Sequence, residues 1–436
     1  MEVSNERRRE IIAALRKGTV PQRGLDFLAV GLHAFEPVIA TELADVAQGG
    51  SMFKAVRGDY GCGKTFFGRW VQEFAKKKGF AVAEVQISET ETPLHRLETV
   101  YRRAMEQLST TECFLGAFRS ILDGWFYGLE EDVLAEGTID PSDQKALSKR
   151  ADELLEQRLA QITRATPQFA AALRAYRHAQ RANDHATAEG LSGWLAGQPH
   201  VAAGIKREAG VKGDVDHYAA LSFLRGLLLI LKDSGYSGLV LVLDEIETLQ
   251  RVRGDVREKG LNALRQLIDD IDSGRFPNLY LLTTGTPAFF DGPQGVRRLE
   301  PLAQRLHVDF QTDPRFDNPR AVQLRLTAFD HARLMEIGKK VRDLYASDCS
   351  SPDRIRRIAT DDFINLLAQS ITGKLGGKVG IAPRLFLKKL VSDVLDKIDQ
   401  HEAFDPTKHY QLTLDNSEMT AVERESQKLD DIELEP

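Results

Sequence analysis

The chain has 436 residues with a formal net charge of −6, 42% hydrophobic and 28% charged residues, and three cysteines. This composition is typical of a soluble globular protein with more than one structural unit. It excludes a disulfide-rich secreted scaffold and a protein that coats nucleic acid through its overall charge. The N-terminus is highly charged and the most apolar run, 227–231, is far too short to span a bilayer, so we expect a cytoplasmic protein.

A phosphate-binding loop follows the first predicted strand. Helices are predicted over 5–15 and 34–46, and a buried strand over 52–56. The next residues match the pattern G-x-x-x-x-G-K-[ST] at every fixed position, and they are Gly58, Asp59, Tyr60, Gly61, Cys62, Gly63, Lys64 and Thr65.

Phe66 then opens an amphipathic helix, so the strand, loop and helix that such a site needs occur in order. Backbone N–H groups of this loop are expected to surround a polyphosphate at the helix N-terminus. Lys64 is expected to reach the β and γ phosphates, and Thr65 to bind Mg²⁺. The alternative is a glycine-rich turn before an ordinary helix.

A helical insertion is predicted after the second strand, which we place at 80–87. Helices around 95–108 and 111–127 come first, and residues 129–216 then show helical periodicity without a convincing strand. The insertion begins acidic and becomes basic, with interleaved aromatic residues: Arg164, Phe169, Arg174, Tyr176, Arg177, Arg181, Trp194, Lys206, Arg207 and Lys212. A nucleic-acid contact and a solvated helical face both explain this pattern, and we favour the solvated face.

Two carboxylates end the most aliphatic predicted strand, which follows a helix over 216–232. Residues 238–243 form the uninterrupted apolar run of a central parallel strand, and Asp244 and Glu245 follow at its carboxyl end. We expect Asp244 to help hold Mg²⁺ and Glu245 to polarise the attacking water. The alternative is a helix cap without chemistry.

The next predicted strand, 277–286, follows a helix over 256–273 and contains Thr283 and Thr284. Either hydroxyl is expected to position the γ phosphate or the water, and the alternative is that both threonines cap a turn. We predict a last short strand at 308–310 and only helices over 315–402.

Phosphate transfer spreads negative charge, so a further cation is expected in the site. Arg384, near the start of a helix, is the candidate from the same chain. Arg297, Arg298 and Arg305 are candidates for the site of an adjacent subunit. Each arginine has the alternative of being a surface residue.

The motifs GDYGCGKT, LVLVLDEIE, LLTTGT and GIAPR occur in the order found in AAA+ ATPases of the origin-recognition and STAND-like branch, which the chain resembles. The longer segments GDYGCGKTFF and LVLDEIETLQ resemble the BREX phage-defence ATP-binding protein family, BrxD. The resemblance implies an α/β P-loop NTPase fold, a three-layer sandwich with a parallel sheet. It also implies ATP and Mg²⁺ as cofactors, DNA as a target and a large DNA helicase as a partner.

The same resemblance implies that Val20 and Pro21 lie against adenine, although an ordinary helix connection explains them equally well. Thr284 occupies a position at which asparagine is frequent in that branch.

We therefore expect an ATPase core over 1–314, a helical lid over 315–402 and an acidic, mobile tail over 403–436. The expected function is an ATP-hydrolysing switch or motor subunit in anti-phage defence, and an assembly of several copies is compatible with it. The alternatives are a nucleotide-dependent binding module and a STAND-like signalling ATPase, both with little intrinsic hydrolysis.

Overall fold

The computed structural model describes residues 4–137, 139–140, 142–374 and 383–411, and it contains a five-stranded sheet. The strands are β1 (Met52–Arg57), β2 (Ala81–Gln86), β3 (Leu239–Asp244), β4 (Leu279–Gly285) and β5 (Gln323–Arg325). Their order is β2-β3-β4-β1-β5, and β3 pairs in parallel with both β2 and β4. Every residue of β3 is buried, as its aliphatic sequence requires. The predicted α/β fold is confirmed.

The prediction of the last strand is wrong. Residues 308–310 are not a strand, and the fifth strand is β5, inside the segment that was predicted to be only helical. The guanidinium groups of Arg57 and Arg325 lie 4.7 and 5.0 Å from the centre of the Phe310 ring. Phe310 therefore makes cation–π contacts with two arginines and is not part of a strand.

Helices form most of the remaining structure. From the N-terminus to the insertion they are α1 (Asn5–Lys17), α2 (Leu25–Leu28), α3 (Glu36–Ala47), α4 (Lys64–Lys76), α5 (Leu97–Gln107) and α6 (Phe118–Ala135). The insertion contains α7 (Gln144–Ala165), α8 (Pro167–Arg181), α9 (His185–Leu195) and α10 (Ala203–Glu208), and α11 (His217–Asp233) precedes β3. Next come α12 (Gly254–Asp272), α13 (Pro287–Asp291) and α14 (Glu300–Arg305). The C-terminal helices are α15 (His331–Ala346), α16 (Pro352–Ile358), α17 (Asp361–Lys374), α18 (Pro383–Lys388), α19 (Asp396–Gln400) and α20 (Pro406–His409), with a π-helical segment at Lys389–Leu395.

Local sequence signals set several helix ends. The side chain of Asp216 accepts a hydrogen bond from the N–H of Ala219 at 2.8 Å and caps α11. Gly18 ends α1 with a φ angle of 69°, a conformation that glycine adopts without steric cost. These capping residues explain why both helices lie close to their predicted bounds.

Residue contacts divide the chain into two compact units. One contains residues 1–39, 56–73 and 308–436, and the other contains residues 40–55 and 74–307. In the first unit, the buried residues of α1 join the apolar core of the C-terminal helices. Arg16 donates two hydrogen bonds to the carboxylate of Asp396, at 2.6 and 2.8 Å, and ties α1 to α19. Residues 331–374 and 383–400 are therefore mainly helical, and α1 shares their apolar core.

The domain boundaries at 314 and 402 stay predictions. Residues 380–382 of the predicted GIAPR motif and residues 412–436 of the predicted tail lie outside the described residues. In the part of the chain that the structure describes, every helix is too short or too polar to cross a bilayer.

Candidate active site

The loop after β1 has the backbone geometry that a phosphate-binding loop needs. Gly61 and Gly63 have φ angles of 82° and 98°, in the left-handed region where a side chain is strained. α4 begins at Lys64, and the N–H of Phe67 donates to the carbonyl oxygen of Gly63 at 2.8 Å. The loop therefore ends at the N-terminus of a 13-residue helix, whose N–H groups and dipole favour an anion.

Lys64 lies against the backbone of this loop. Its Nζ donates to the carbonyl oxygens of Gly58 and Asp59 at 2.9 and 3.2 Å, and it lies 5.1 Å from the centre of the Tyr60 ring. The side chain of Lys64 is almost fully buried, so its ammonium group is held close to the loop. The contact of Lys64 with phosphate groups stays a prediction.

Cys62 and Gly58 fix the shape of the loop. The Cys62 side chain is buried, and this burial raises the pKa of its thiol to about 11, so the thiol stays protonated at neutral pH. A Cβ at Gly58 would collide with the Cys62 sulfur and lie 3.1 Å from the carbonyl oxygen of Leu326. Glycine is therefore required at position 58 by packing.

Thr65 and Phe66 occupy the first turn of α4, and both are half-buried. Phe66 packs against the apolar core of the first unit. The loop residues fit the phosphate chain of a nucleotide, because they offer two glycines in the left-handed conformation, a held cation and a hydroxyl next to it in sequence. The role of Thr65 as a magnesium ligand stays a prediction.

α4 also holds the segment that contains Val20 and Pro21. Nη1 of Arg69 donates to the Val20 carbonyl oxygen at 2.9 Å. The Glu73 carboxylate accepts hydrogen bonds from the N–H groups of residues 24 and 25 at 3.1 and 2.7 Å. The segment predicted to contact adenine is thus tied to the helix that starts at the phosphate loop. Its contact with adenine stays a prediction.

Arg384 lies close to the same segment. A Cβ at Gly18 would lie 3.8 Å from both Cγ and Nη1 of Arg384. The Arg384 side chain is exposed in the first turn of α18. Within the first unit, the structure therefore brings Arg384 next to the residues that precede Val20.

The ends of β2, β3 and β4 lie at one level in the sheet. Gln86, the last residue of β2, is paired in register with Asp244, the last residue of β3. Leu243 is paired with Thr283 of β4, so Thr284 follows at the level of Asp244. Three neighbouring strands therefore bring polar side chains to the carboxyl end of β3.

These side chains form a hydrogen-bonded set that we call the acidic cluster, made of Gln86, Asp244, Glu245 and Thr284. The Thr284 hydroxyl donates to the Asp244 carboxylate and accepts from the N–H of Glu245 at 3.1 Å. Nε2 of Gln86 donates to Oε2 of Glu245 at 3.0 Å. Each of the two carboxylates thus receives a hydrogen bond from a neighbouring strand.

Glu245 has a backbone conformation that is rare for its residue type. Its φ angle is 61°, in the left-handed region. Such a conformation costs about 1–3 kcal/mol and persists only where surrounding contacts impose it. Glu245 is half-buried whereas Asp244 is buried, so the Glu245 carboxylate is the more accessible of the pair.

Sequence reasoning missed Gln86 and did not separate the two threonines. The Thr283 hydroxyl is buried and has no hydrogen-bond partner among the described residues, whereas Thr284 contacts both acidic residues. The sequence feature that could have identified Gln86 as a site residue is its position, as a polar residue, at the end of an apolar strand. Its contact with Glu245 depends on strand order, which the motifs did not give.

The arginines after β4 have different surroundings. Nε of Arg305 lies 2.5 Å from the Asp269 carboxylate, and its Nη1 donates to the carbonyl oxygen of Pro301 at 3.0 Å. Arg297 and Arg298 have exposed side chains on a 3₁₀ turn. Action of Arg298 or Arg305 in the site of an adjacent subunit stays a prediction, and Arg305 would have to leave Asp269 for it.

Three arginines of the insertion's basic part, Arg174, Arg177 and Arg181, are not available for a nucleic-acid contact. Arg174 donates to both carboxylate oxygens of Glu156, at 2.6 and 2.7 Å. Arg181 bonds both carboxylate oxygens of Asp152 at 2.7 Å. These arginines are therefore paired with carboxylates of the insertion itself.

Arg177 is 4% exposed, and burial together with the charge of Arg181 lowers its pKa. The interleaved aromatic residues are also buried: Phe169, Tyr176 and Trp194. The less favoured alternative, in which these rings stack on bases, does not fit the structure, because the rings lie in the core of the helical insertion. The solvated-face interpretation fits Arg174 and Arg181 and is wrong for Arg177.

A phosphate loop after β1, an acidic pair after β3 and the strand order β2-β3-β4-β1-β5 together define a P-loop NTPase fold of the AAA+ type. Residues 3–414 match the family described as BREX system ATP-binding protein BrxC/D. The chain belongs to this family, and it is an ATP-binding protein of the BREX phage-defence system. The resemblance noted from the motifs is confirmed.

The comparison with solved structures matches the chain to one in "Structure of Drosophila ORC bound to DNA", at 16% identity and a TM-score of 0.35. The match covers 91% of this chain and 63% of the Drosophila chain. No curated protein matches the sequence.

Proposed function

We propose that the chain hydrolyses ATP in a Mg²⁺-dependent reaction and serves as a switch or motor subunit in BREX phage defence. ATP binding follows from the family, and hydrolysis is the step that we add. The acidic cluster supports it, because two adjacent carboxylates at a strand end are the groups that bind a metal and activate water. The phosphate loop supplies the complementary positive charge.

In this proposal each residue has one role. The backbone N–H groups of the loop and the Lys64 ammonium hold the phosphates. Thr65 and Asp244 hold Mg²⁺, which neutralises phosphate charge when it is bound. Glu245 orients and polarises the attacking water, and Arg384 adds positive charge from the same chain.

The observation that carries the proposal is the backbone of Glu245. A glutamate at a φ angle of 61° is held there by its own N–H bond to Thr284 and by the Gln86 bond to its carboxylate. The Glu245 side chain makes no capping hydrogen bond to the 3₁₀ helix that follows it, Ile246–Gln250, whereas a catalytic carboxylate benefits from a fixed position. The cap interpretation of the acidic pair is therefore disfavoured.

ATP turnover by the wild type and by Glu245→Gln tests the proposal. The substitution keeps the size of the side chain and removes the carboxylate, so turnover should fall on the order of 100-fold or more while ATP affinity stays unchanged. Turnover should be measured with and without DNA. A wild type no faster than the variant under both conditions would favour a nucleotide-dependent regulator with little hydrolysis.

We also propose that the protein acts on DNA together with a helicase partner. The support is its membership of a phage-defence family and the motif resemblance described above. Arg174, Arg177 and Arg181 do not contribute to this support, because they are paired or buried. DNA binding by the wild type, measured over a range of salt concentrations, should weaken as salt rises.

A further inference from the structure

We infer that Thr284 acts on the acidic pair and not on the γ phosphate, so that its hydroxyl positions the Asp244 carboxylate and the Glu245 backbone. This inference rests on the ATP hydrolysis proposed above. It replaces the role expected from the sequence, in which the Thr284 hydroxyl positions the γ phosphate or the water. Thr284 is then a positioning residue, because it acts on the reaction through its two neighbours.

The hydrogen-bonding capacity of the hydroxyl gives the first reason. A threonine hydroxyl has one hydrogen to donate and two acceptor positions. Thr284 donates its hydrogen to Asp244 and uses an acceptor position for the N–H of Glu245. Ionised phosphate oxygens only accept, so Thr284 has to release Asp244 before it can contact a γ phosphate.

The burial of the pair gives the second reason. Thr284 is 0% exposed and Asp244 is 5% exposed. A hydrogen bond to a buried carboxylate is charge-assisted and stronger than one between neutral groups. Exchanging this bond for one to a phosphate therefore brings little gain, and the hydroxyl stays with Asp244.

The strained backbone of Glu245 gives the third reason. Its left-handed conformation needs support, and the Glu245 N–H finds an acceptor in Thr284. On the other side Gln86 holds the Glu245 carboxylate at 3.0 Å. The two strands that flank β3 thus hold Glu245 at two groups: β4 at its backbone N–H and β2 at its carboxylate. Loss of the Thr284 hydroxyl should disturb both magnesium binding through Asp244 and water activation through Glu245.

Thr284→Val and Thr283→Val form a matched pair for the test. Both threonines are 0% exposed and adjacent in β4, and valine has nearly the same shape. The Thr283 hydroxyl has no hydrogen-bond partner in the described ranges, so Thr283→Val controls for the introduction of valine into this strand. Thr284→Ser keeps the hydroxyl and should retain the wild-type behaviour.

The quantities to measure are ATP turnover, the Mg²⁺ concentration that gives half-maximal ATP binding, and the affinities for ATP and ADP without Mg²⁺. For Thr284→Val we expect turnover to fall about 10- to 100-fold and the half-maximal Mg²⁺ concentration to rise several-fold, as for other partners of metal ligands. The ratio of ATP to ADP affinity without Mg²⁺ should not change. Thr283→Val should stay within about twofold of the wild type.

Two results would overturn the inference. If Thr284→Val weakens ATP binding relative to ADP without Mg²⁺, the hydroxyl contacts the γ phosphate. If both valine variants show the same Mg²⁺ dependence, Thr284 does not position the acidic pair. Absence of turnover in the wild type would contradict the proposed hydrolysis alone, because the Mg²⁺ dependence of ATP binding still tests the role of Thr284.

Discussion

The acidic pair Asp244 and Glu245 and the insertion's basic stretch around Arg177 are both groups of like charges in the sequence, but their surroundings in the fold differ. In the insertion, Arg174 and Arg181 are paired with carboxylates on α7 and Arg177 is buried. In the acidic cluster, two carboxylates are adjacent, and a hydroxyl and an amide from flanking strands hold them. Charge alone therefore does not select a candidate site, and the acidic cluster is selected by its convergent hydrogen bonds together with the left-handed backbone of Glu245.

Lys64→Ala tests whether a buried cation, unlike the buried Arg177, belongs to a binding site. We expect it to have the largest effect of these variants. If the loop binds a triphosphate, loss of a charge-assisted contact should weaken ATP binding about 100-fold, which corresponds to ~2.7 kcal/mol. Equilibrium binding of a fluorescent ATP analogue measures it. Lys78→Ala is the control, because this exposed lysine lies just after α4. Equal affinities of the two variants would contradict the role of the loop.

Gln86→Ala tests the contribution of the neighbouring strand to the acidic cluster. Without the bond to its carboxylate, Glu245 loses one of the contacts that fix it, so turnover should fall about tenfold. ATP affinity should stay near that of the wild type. Steady-state turnover measures the effect, with Gln304→Ala on the exposed side of α14 as control. Equal turnover of both variants would show that Gln86 does not position Glu245.

Arg177→Met tests whether the insertion needs its buried charge for stability. No guanidinium nitrogen of Arg177 has a hydrogen-bond partner in the described part of the chain, and the nearest carboxylates of Asp152 and Glu130 lie at 3.3 and 3.6 Å. Those carboxylates are about half exposed and remain hydrated after the substitution. We therefore expect stability equal to the wild type or higher by about 1 kcal/mol, measured by urea unfolding. A loss of several kcal/mol would show that the pairing outweighs the cost of burial.

The double variant Arg174→Gln and Arg181→Gln should have the smallest effect. DNA affinity, its salt dependence and ATP turnover should stay within about twofold of the wild type, because both side chains already contact carboxylates. A large loss of DNA affinity with a smaller salt dependence would restore the insertion as a nucleic-acid surface.

The same double variant should show a small, pH-dependent loss of stability. Hydrogen bonds from Arg174 lower the pKa of Glu156 in the folded protein. This pair therefore stabilises the fold above the ordinary glutamate pKa, and the contribution disappears as the pH falls through the lowered pKa. We expect the free energy of unfolding of the double variant to be about 0.2–1 kcal/mol lower than that of the wild type at neutral pH. The value is small because the pair is exposed, and the difference should vanish in strong acid. Urea unfolding at both pH values measures it.

The sequence was sufficient for the central strands and for the phosphate loop. The aliphatic run before Asp244 and the glycine pattern around Lys64 each depend on local sequence, and both lie where they were predicted. The strand β5 was missed because its three residues, Gln323–Arg325, are too few and too polar to show periodicity.

What the sequence did not show depends on contacts between distant segments. The bond between Gln86 and Glu245 joins residues 159 positions apart, and it exists because β2 and β3 are neighbours. The burial of Tyr176 and the pairing of Arg174 depend on how the helices of the insertion pack. Helical periodicity alone does not distinguish a packed aromatic residue from an exposed one.

The most direct test of the account is the identity of the nucleotide bound after incubation with Mg²⁺ and ATP. Wild-type protein and Glu245→Gln would be separated from free nucleotide, denatured, and their bound ATP and ADP quantified. We predict mainly ADP on the wild type and mainly ATP on the variant, because only the wild type completes hydrolysis. The same ratio of ATP to ADP on both proteins would contradict a catalytic role for the acidic pair.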